Sequence, residues 1–125
     1  MSPDERDRRR RVLVVEDDIS LAGMYRSALR FSGFDVEIAT DGVSALYLID
    51  QGAPDVVVLD LHLPRLHGEA ILQEITNSAD LCDIPVIVVT GSDPSAGVAQ
   101  AKAILRKPCP PERLLSVIEK VSEAA

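Results

Sequence analysis

The stretch Val56-Val57-Val58-Leu59-Asp60 is an unbroken apolar run that ends on a carboxylate, with Leu61-His62-Leu63-Pro64 directly after it. The same design occurs in Val12-Leu13-Val14-Val15, which leads into Glu16-Asp17-Asp18. It recurs in Pro85-Val86-Ile87-Val88-Val89-Thr90 and in Ala103-Ile104-Leu105-Arg106-Lys107-Pro108. Short continuous apolar runs are the mark of strands buried on both faces, so each run hands a polar group to a strand end. Three carboxylates gathered in one cleft resist ionising together unless a cation joins them. An all-oxygen site with few protein donors suits Mg²⁺, which takes its remaining oxygens from water and phosphate. Thr90 adds a hydroxyl donor and Lys107 a point charge for phosphate oxygens. A carboxylate is also a nucleophile able to form an acyl phosphate, and Asp60, on the central run, is the candidate.

The elements that must position these groups alternate along the chain. After the first run, Leu21, Met24, Tyr25, Ala28 and Leu29 recur at helical spacing and Gly33 stops the helix, with Asp18, alone or with Ser20, as its N-terminal cap. Phe34 to Ala39 reads as a second strand. Asp41 caps a helix that carries Ala45, Leu46 and Ile49 and closes at Gly52. Gly68 to Asn77 forms a helix with Ile71, Leu72 and Ile75 inward, and Pro85 opens the fourth strand. Pro110-Pro111 starts a last helix with Leu114, Leu115, Ile118 and Val121 as its stripe. Five β-α units predict a doubly wound, flavodoxin-like α/β fold with a five-stranded parallel sheet. In the order 2-1-3-4-5 the reversal falls between strands one and three, where ligands bind. Glu16, Asp17 and Asp60 then sit side by side. Only twelve residues separate Thr90 from Ala103, and Gly97 lies among them, so the fourth helix is expected to be short, frayed or absent.

Charge and composition narrow the class. At 125 residues with 46% hydrophobic content, the chain is expected to form one domain with its own core. Residues 1–11 carry five arginines against Asp4, Glu5 and Asp7, a net +2; the total of -7 leaves -9 on residues 12–125. The division expected is a charged, disordered tail over 1–11 and a folded domain over 12–125. An acidic body makes a poor nucleic-acid surface. No stretch approaches the ~18 apolar residues of a membrane span, and the first apolar run is too short for a signal peptide. A cytoplasmic protein, monomeric or weakly dimeric, is the expectation. Cys82 and Cys109 have no CxxC partner and read as simple thiols, and His62 and His67 as exposed loop residues.

The ordered set Glu16-Asp17, Asp60 with Leu63-Pro64 and Gly68 downstream, Thr90-Gly91, and Lys107-Pro108 resembles the receiver domain of two-component response regulators, especially single-domain chemotaxis regulators. The resemblance runs from Val12 to about Val121. It implies that Asp60 accepts a phosphoryl group, with Mg²⁺ held by Glu16, Asp17, Asp60 and the backbone carbonyl of His62. It further implies that Thr90 binds the phosphoryl group, that Lys107 pairs with it, and that the Lys107–Pro108 peptide is a candidate cis bond. The donor would be a histidine kinase, a phosphotransfer protein or a small acyl phosphate. The output would be a changed protein-protein contact with a downstream partner the sequence does not name. The chain ends soon after its last helix, so an output domain is not expected within it.

Ile104 departs from the pattern. It stands three residues before the lysine, where many receivers carry a Tyr or Phe that swings inward on activation. With a stunted fourth helix, this keeps a second reading open: a pseudo-receiver or scaffold that binds a partner independently of phosphorylation. A carboxylate phosphatase fits less well, because such enzymes place a DxD nucleophile after the first strand and Asp60-Leu61-His62 offers no second acid. Flavin binding lacks a phosphate loop after Val15.

Overall fold

The computed structural model of the protein describes residues 9–91 and 98–123. Five strands, β1 (Arg11–Val15), β2 (Asp35–Ala39), β3 (Val56–Asp60), β4 (Val86–Thr90) and β5 (Ala103–Arg106), form one sheet. Its order is β2-β1-β3-β4-β5, and all neighbours are parallel. The described helices are α1 (Ile19–Phe31), α2 (Gly42–Gln51), α3 (Gly68–Asn77) and α4 (Pro111–Glu123). This is the flavodoxin-like architecture expected from the alternation of apolar runs and helical periods. Among the described residues no helix is long and apolar enough to cross a membrane.

Side chains on successive strand residues point to opposite faces, and the all-apolar strands therefore build two cores. Leu13, Val15, Val57, Leu59 and Val88 face one way and meet Ala45 and Ile49 of α2 and Ile71, Leu72 and Ile75 of α3. Val12, Val14, Val58, Ile87 and Val89 face the other way and meet Tyr25 and Leu29 of α1 and Leu114 and Ile118 of α4. Central strands β3 and β4 are buried at every position. Continuous valine and isoleucine runs are thus what a two-sided core demands.

β1 begins one residue before the expected boundary. Arg11 lies inside the presumed tail, but its amide donates to Asp55 Oδ2 at 2.7 Å and its carbonyl accepts the Asp55 amide at 2.8 Å. Its guanidinium is ion-paired with Glu37 at 2.9 Å. Arg10 donates to the Ser122 carbonyl at 2.6 Å. These bonds tie Arg10 and Arg11 to the domain body, while residues 1–8 lie outside the described residues. The expected short fourth helix falls largely on residues 92–97, also outside the described part. Residues 98–101, just before β5, form a tight turn in which the Ala101 amide donates to the Val98 carbonyl at 3.0 Å and Val98 is buried.

Helix starts follow local chemistry. Asp18 caps α1 by accepting the Leu21 amide at 3.1 Å, and Asp41 caps α2 by accepting the Ser44 amide at 2.8 Å. The Ser44 amide, together with an ion pair to Arg65, holds the Asp41 carboxyl below the usual carboxylate range. A lowered folded-state pKa contributes stability above the unfolded value of 3.8 that is lost as pH falls through the lower folded value. Asp41→Asn is therefore expected to unfold at a lower temperature than wild type at neutral pH, with the gap closing in acid below pH 3.8. Thermal unfolding followed across pH measures this, and a gap that persists unchanged in acid contradicts it.

Candidate functional site

The two faces of the sheet are covered by helices that leave its C-terminal edge in opposite directions. α1, after β1, packs on one face, and α3, after β3, packs on the other. Their divergence opens a crevice between the ends of β1 and β3, the topological switch point at which open α/β sheets bind ligands. Glu16 follows β1, Asp60 ends β3, Thr90 ends β4, and Lys107 follows β5.

In the crevice, Lys107 Nζ lies 2.7 Å from Glu16 Oε1 and 3.3 Å from Asp60 Oδ2. Glu16 is 3% exposed and Asp60 4%, so one ammonium serves two carboxylates that water scarcely reaches. Asp17, which is exposed, joins them: one carboxylate oxygen from each of Glu16, Asp17 and Asp60 lies within 4.8 Å of the others. Among the described residues this is the one such acidic group. The donor set is three carboxylates, hard oxygen ligands of the kind Mg²⁺ and Ca²⁺ take.

Backbone bonds hold each buried carboxylate in place. The Asp18 amide donates to Glu16 Oε2 at 3.2 Å, and the His62 amide donates to Asp60 Oδ1 at 3.1 Å. The Lys107 amide donates to the Thr90 carbonyl at 2.8 Å, which fixes the start of the Lys107 loop against β4. Thr90 itself is fully buried. The Lys107–Pro108 peptide is cis. Behind it, the Tyr25 hydroxyl donates to the Cys109 carbonyl at 3.0 Å and ties the loop to α1. Burial pushes the Tyr25 hydroxyl up to about 12, so it stays a donor. Gly68 is required by close approach: a β-carbon there would come within 2.7 Å of Leu61 Cα and closer still to the Asp60 carbonyl oxygen.

Burial dominates the electrostatics of the innermost acid. Burial raises Glu16 to about 7, with the nearby Asp60 charge adding to it and the Lys107 hydrogen bond opposing it. For Lys107, burial acts downward, but hydrogen bonds and charge from Glu16 and Asp60 outweigh it and leave the ammonium above its ordinary value. The lysine stays charged, and the site retains an excess of acid that a divalent cation would balance.

Sequence reasoning names each of these charged groups, but not the contacts that hold their loops. The Tyr25–Cys109 bond joins residues 84 apart, and the Arg65–Asp41 pair joins residues 24 apart. Asp41 carries a cap signal only, and Arg65 carries none. Ile104 lies on β5 opposite Val88 and is 40% exposed. His62 and His67 are both exposed, and His67 sits at the N-cap of α3.

A family model of the response regulator receiver domain matches residues 12–119. This chain belongs to that family. It is accordingly a receiver domain of the two-component response regulator type, a regulatory module. It is 41% identical over 111 residues to response regulator MprA of Mycobacterium sp. strain KMS, across 85% of this chain and 47% of that protein. MprA of Mycobacterium leprae strain TN is 38% identical over 113 residues, across 86% of this chain and 49% of the relative. The receiver thus spans about half the length of these curated relatives. Among solved structures, the CheY-like receiver domain protein of Methanospirillum hungatei JF-1 superposes with a TM-score of 0.86 at 25% identity, over 94% of this chain and 96% of that one. Chemotaxis response regulator CheY4 of Vibrio cholerae gives 0.83 at 27% identity, over 91% and 99%.

Like charges at these separations repel by about 1 kcal/mol even where water screens them, and by more in a dry cleft. Asp17→Asn is therefore expected to raise the receiver's unfolding free energy by about 1 kcal/mol in metal-free buffer. Adding Mg²⁺ should stabilise wild type more than the variant. Denaturant unfolding with EDTA and then with Mg²⁺ checks both, and a variant less stable than wild type in EDTA contradicts the repulsion.

Proposed function

We propose that the receiver accepts a phosphoryl group on the Asp60 carboxylate, from a histidine kinase or phosphotransfer protein or from a small acyl phosphate. The observation that carries this is the bridge of Lys107 Nζ to both Glu16 and Asp60, at 2.7 and 3.3 Å, inside the switch-point crevice. Asp60 is the acid at the middle of the cluster: it ends the central strand, its Oδ1 is held by the His62 amide and its Oδ2 faces Lys107.

Phosphoryl transfer spreads charge over the equatorial oxygens, and catalysis consists mainly of positioning and electrostatic stabilisation. A carboxylate oxygen of Asp60 forms the new bond to phosphorus, and the bond from phosphorus to the donor nitrogen or oxygen breaks, its electron pair leaving with the donor. Lys107 supplies a fixed positive charge for the oxygens of the arriving group, and Thr90 a hydroxyl donor beside them. Glu16, Asp17, Asp60 and the His62 carbonyl would hold Mg²⁺, whose contribution when bound is to neutralise the charge of acids and phosphoryl group together. The domain catalyses only its own phosphorylation and autodephosphorylation, and it signals through a changed protein-protein interface rather than by contact with nucleic acid. Family membership supports a kinase as the donor.

The retained acids, Thr90 and Lys107 favour this reading over a phosphorylation-independent scaffold. Intact-mass measurement after incubation with Mg²⁺ and a small acyl phosphate tests it. Wild type is expected to gain one phosphoryl group, and Asp60→Asn, or wild type in excess EDTA, to gain none. An unmodified wild type, under conditions that label another receiver, overturns the assignment.

A further inference from the structure

Residues 61–67 connect the strand that carries Asp60 to α3. This loop is fixed at its start by the His62 amide on Asp60 Oδ1, and at its end by the Gly68 amide, which donates to the Leu61 carbonyl at 3.1 Å. Leu61 and Leu63 are buried and anchor its first half in the core. Its second half is fastened differently.

Arg65 has φ 68°, the left-handed region, which is sterically unfavourable for a residue with a β-carbon. Its guanidinium is ion-paired with Asp41 Oδ2. Asp41 is an unusual partner for an exposed arginine: its side chain is only 9% exposed and already caps α2 through the Ser44 amide and hydroxyl. The next residue, Leu66, rests on Gly42. A β-carbon at that glycine would come 2.5 Å from Leu66 Cβ and 2.6 Å from the Leu66 carbonyl oxygen. Two consecutive loop residues are thus seated on the start of α2, the first of them in the left-handed conformation.

We propose that Arg65 is a positioning residue: its ion pair with Asp41 holds the loop so that the His62 amide stays on Asp60 and the His62 carbonyl stays in place for a metal ion shared with the acids. The part concerning the metal rests on the proposed phosphoacceptor function; the part concerning loop order rests on the geometry alone. The competing role for Arg65 is that of a turn residue with an incidental surface ion pair, of the kind that contributes little.

Glycine separates the two roles. It adopts positive φ without steric cost, so Arg65→Gly relieves the backbone while removing the clamp. If Arg65 only fills a turn, the glycine variant matches or exceeds wild type in stability and leaves the site unchanged. If Arg65 is the clamp, amide exchange at His62 in metal-free protein becomes several-fold faster in Arg65→Gly, while β1 amides exchange as before. Mg²⁺ binding, followed by NMR titration of the metal alone, then weakens toward the lower end of the roughly 10- to 100-fold losses caused by outer-shell substitutions. Arg65→Lys, which keeps the charge but loses the forked donors, should recover most of both. Wild-type exchange at His62 in the glycine variant overturns the clamp. Faster exchange with unchanged Mg²⁺ affinity overturns its action on the metal site. Should wild type bind no Mg²⁺ at all, the phosphoacceptor reading falls, and the exchange comparison still decides whether Arg65 orders the loop.

Discussion

A single ammonium group held between two buried carboxylates is the constraint around which the C-terminal edge of this sheet is organised. Glu16 and Asp60 have almost no contact with water, and each is held by Lys107 and by one backbone amide. Removing one partner of such a group leaves buried charge uncompensated, which is costly. The loop that delivers Lys107 is correspondingly well held, by the Thr90 carbonyl on one side and by the Tyr25 hydroxyl, through Cys109, on the other. Two cores, one on each face, keep the strands that carry the acids from moving relative to one another. The packing fixes a charge arrangement that is unfavourable in isolation, three carboxylates against one ammonium.

Much of this is legible in the sequence because parallel sheets write themselves plainly. A strand covered on both faces must be apolar throughout, so Val56–Leu59 and Val86–Val89 read as central strands. The first polar residue after each run then has to lie at the C-terminal edge. That logic locates Glu16, Asp60 and Thr90 without any knowledge of distances, and it brings Lys107, one residue beyond Arg106, to the same edge. It reaches the helix caps as well, since Asp18 and Asp41 act on amides three residues ahead.

Bonds between segments far apart along the chain are the part a sequence conceals. Arg65 gives no local sign that Asp41 is its partner, and Tyr25 looks like one more apolar helix position although its hydroxyl reaches Cys109. Arg11 resembles the rest of a charged tail because its side chain is polar; its membership of β1 depends on Asp55 and Glu37, which the run of arginines does not reveal. Ile104 is visible as a departure, and it lies half-exposed on β5, an aliphatic side chain without the ring or hydroxyl an aromatic residue would bring to that strand.

The bond from Arg10 to the Ser122 carbonyl brings the beginning of β1 beside the end of α4. Both lie at the N-terminal margin of the sheet, across the full length of the strands from the acids. Within the described residues the chain therefore enters β1 and leaves α4 on the side of the sheet away from the crevice. The fold thus gathers the first and last of its described elements at one margin of the sheet and its charged cluster at the other, so the packing that ties those two elements together is separated from the acids by the length of the strands.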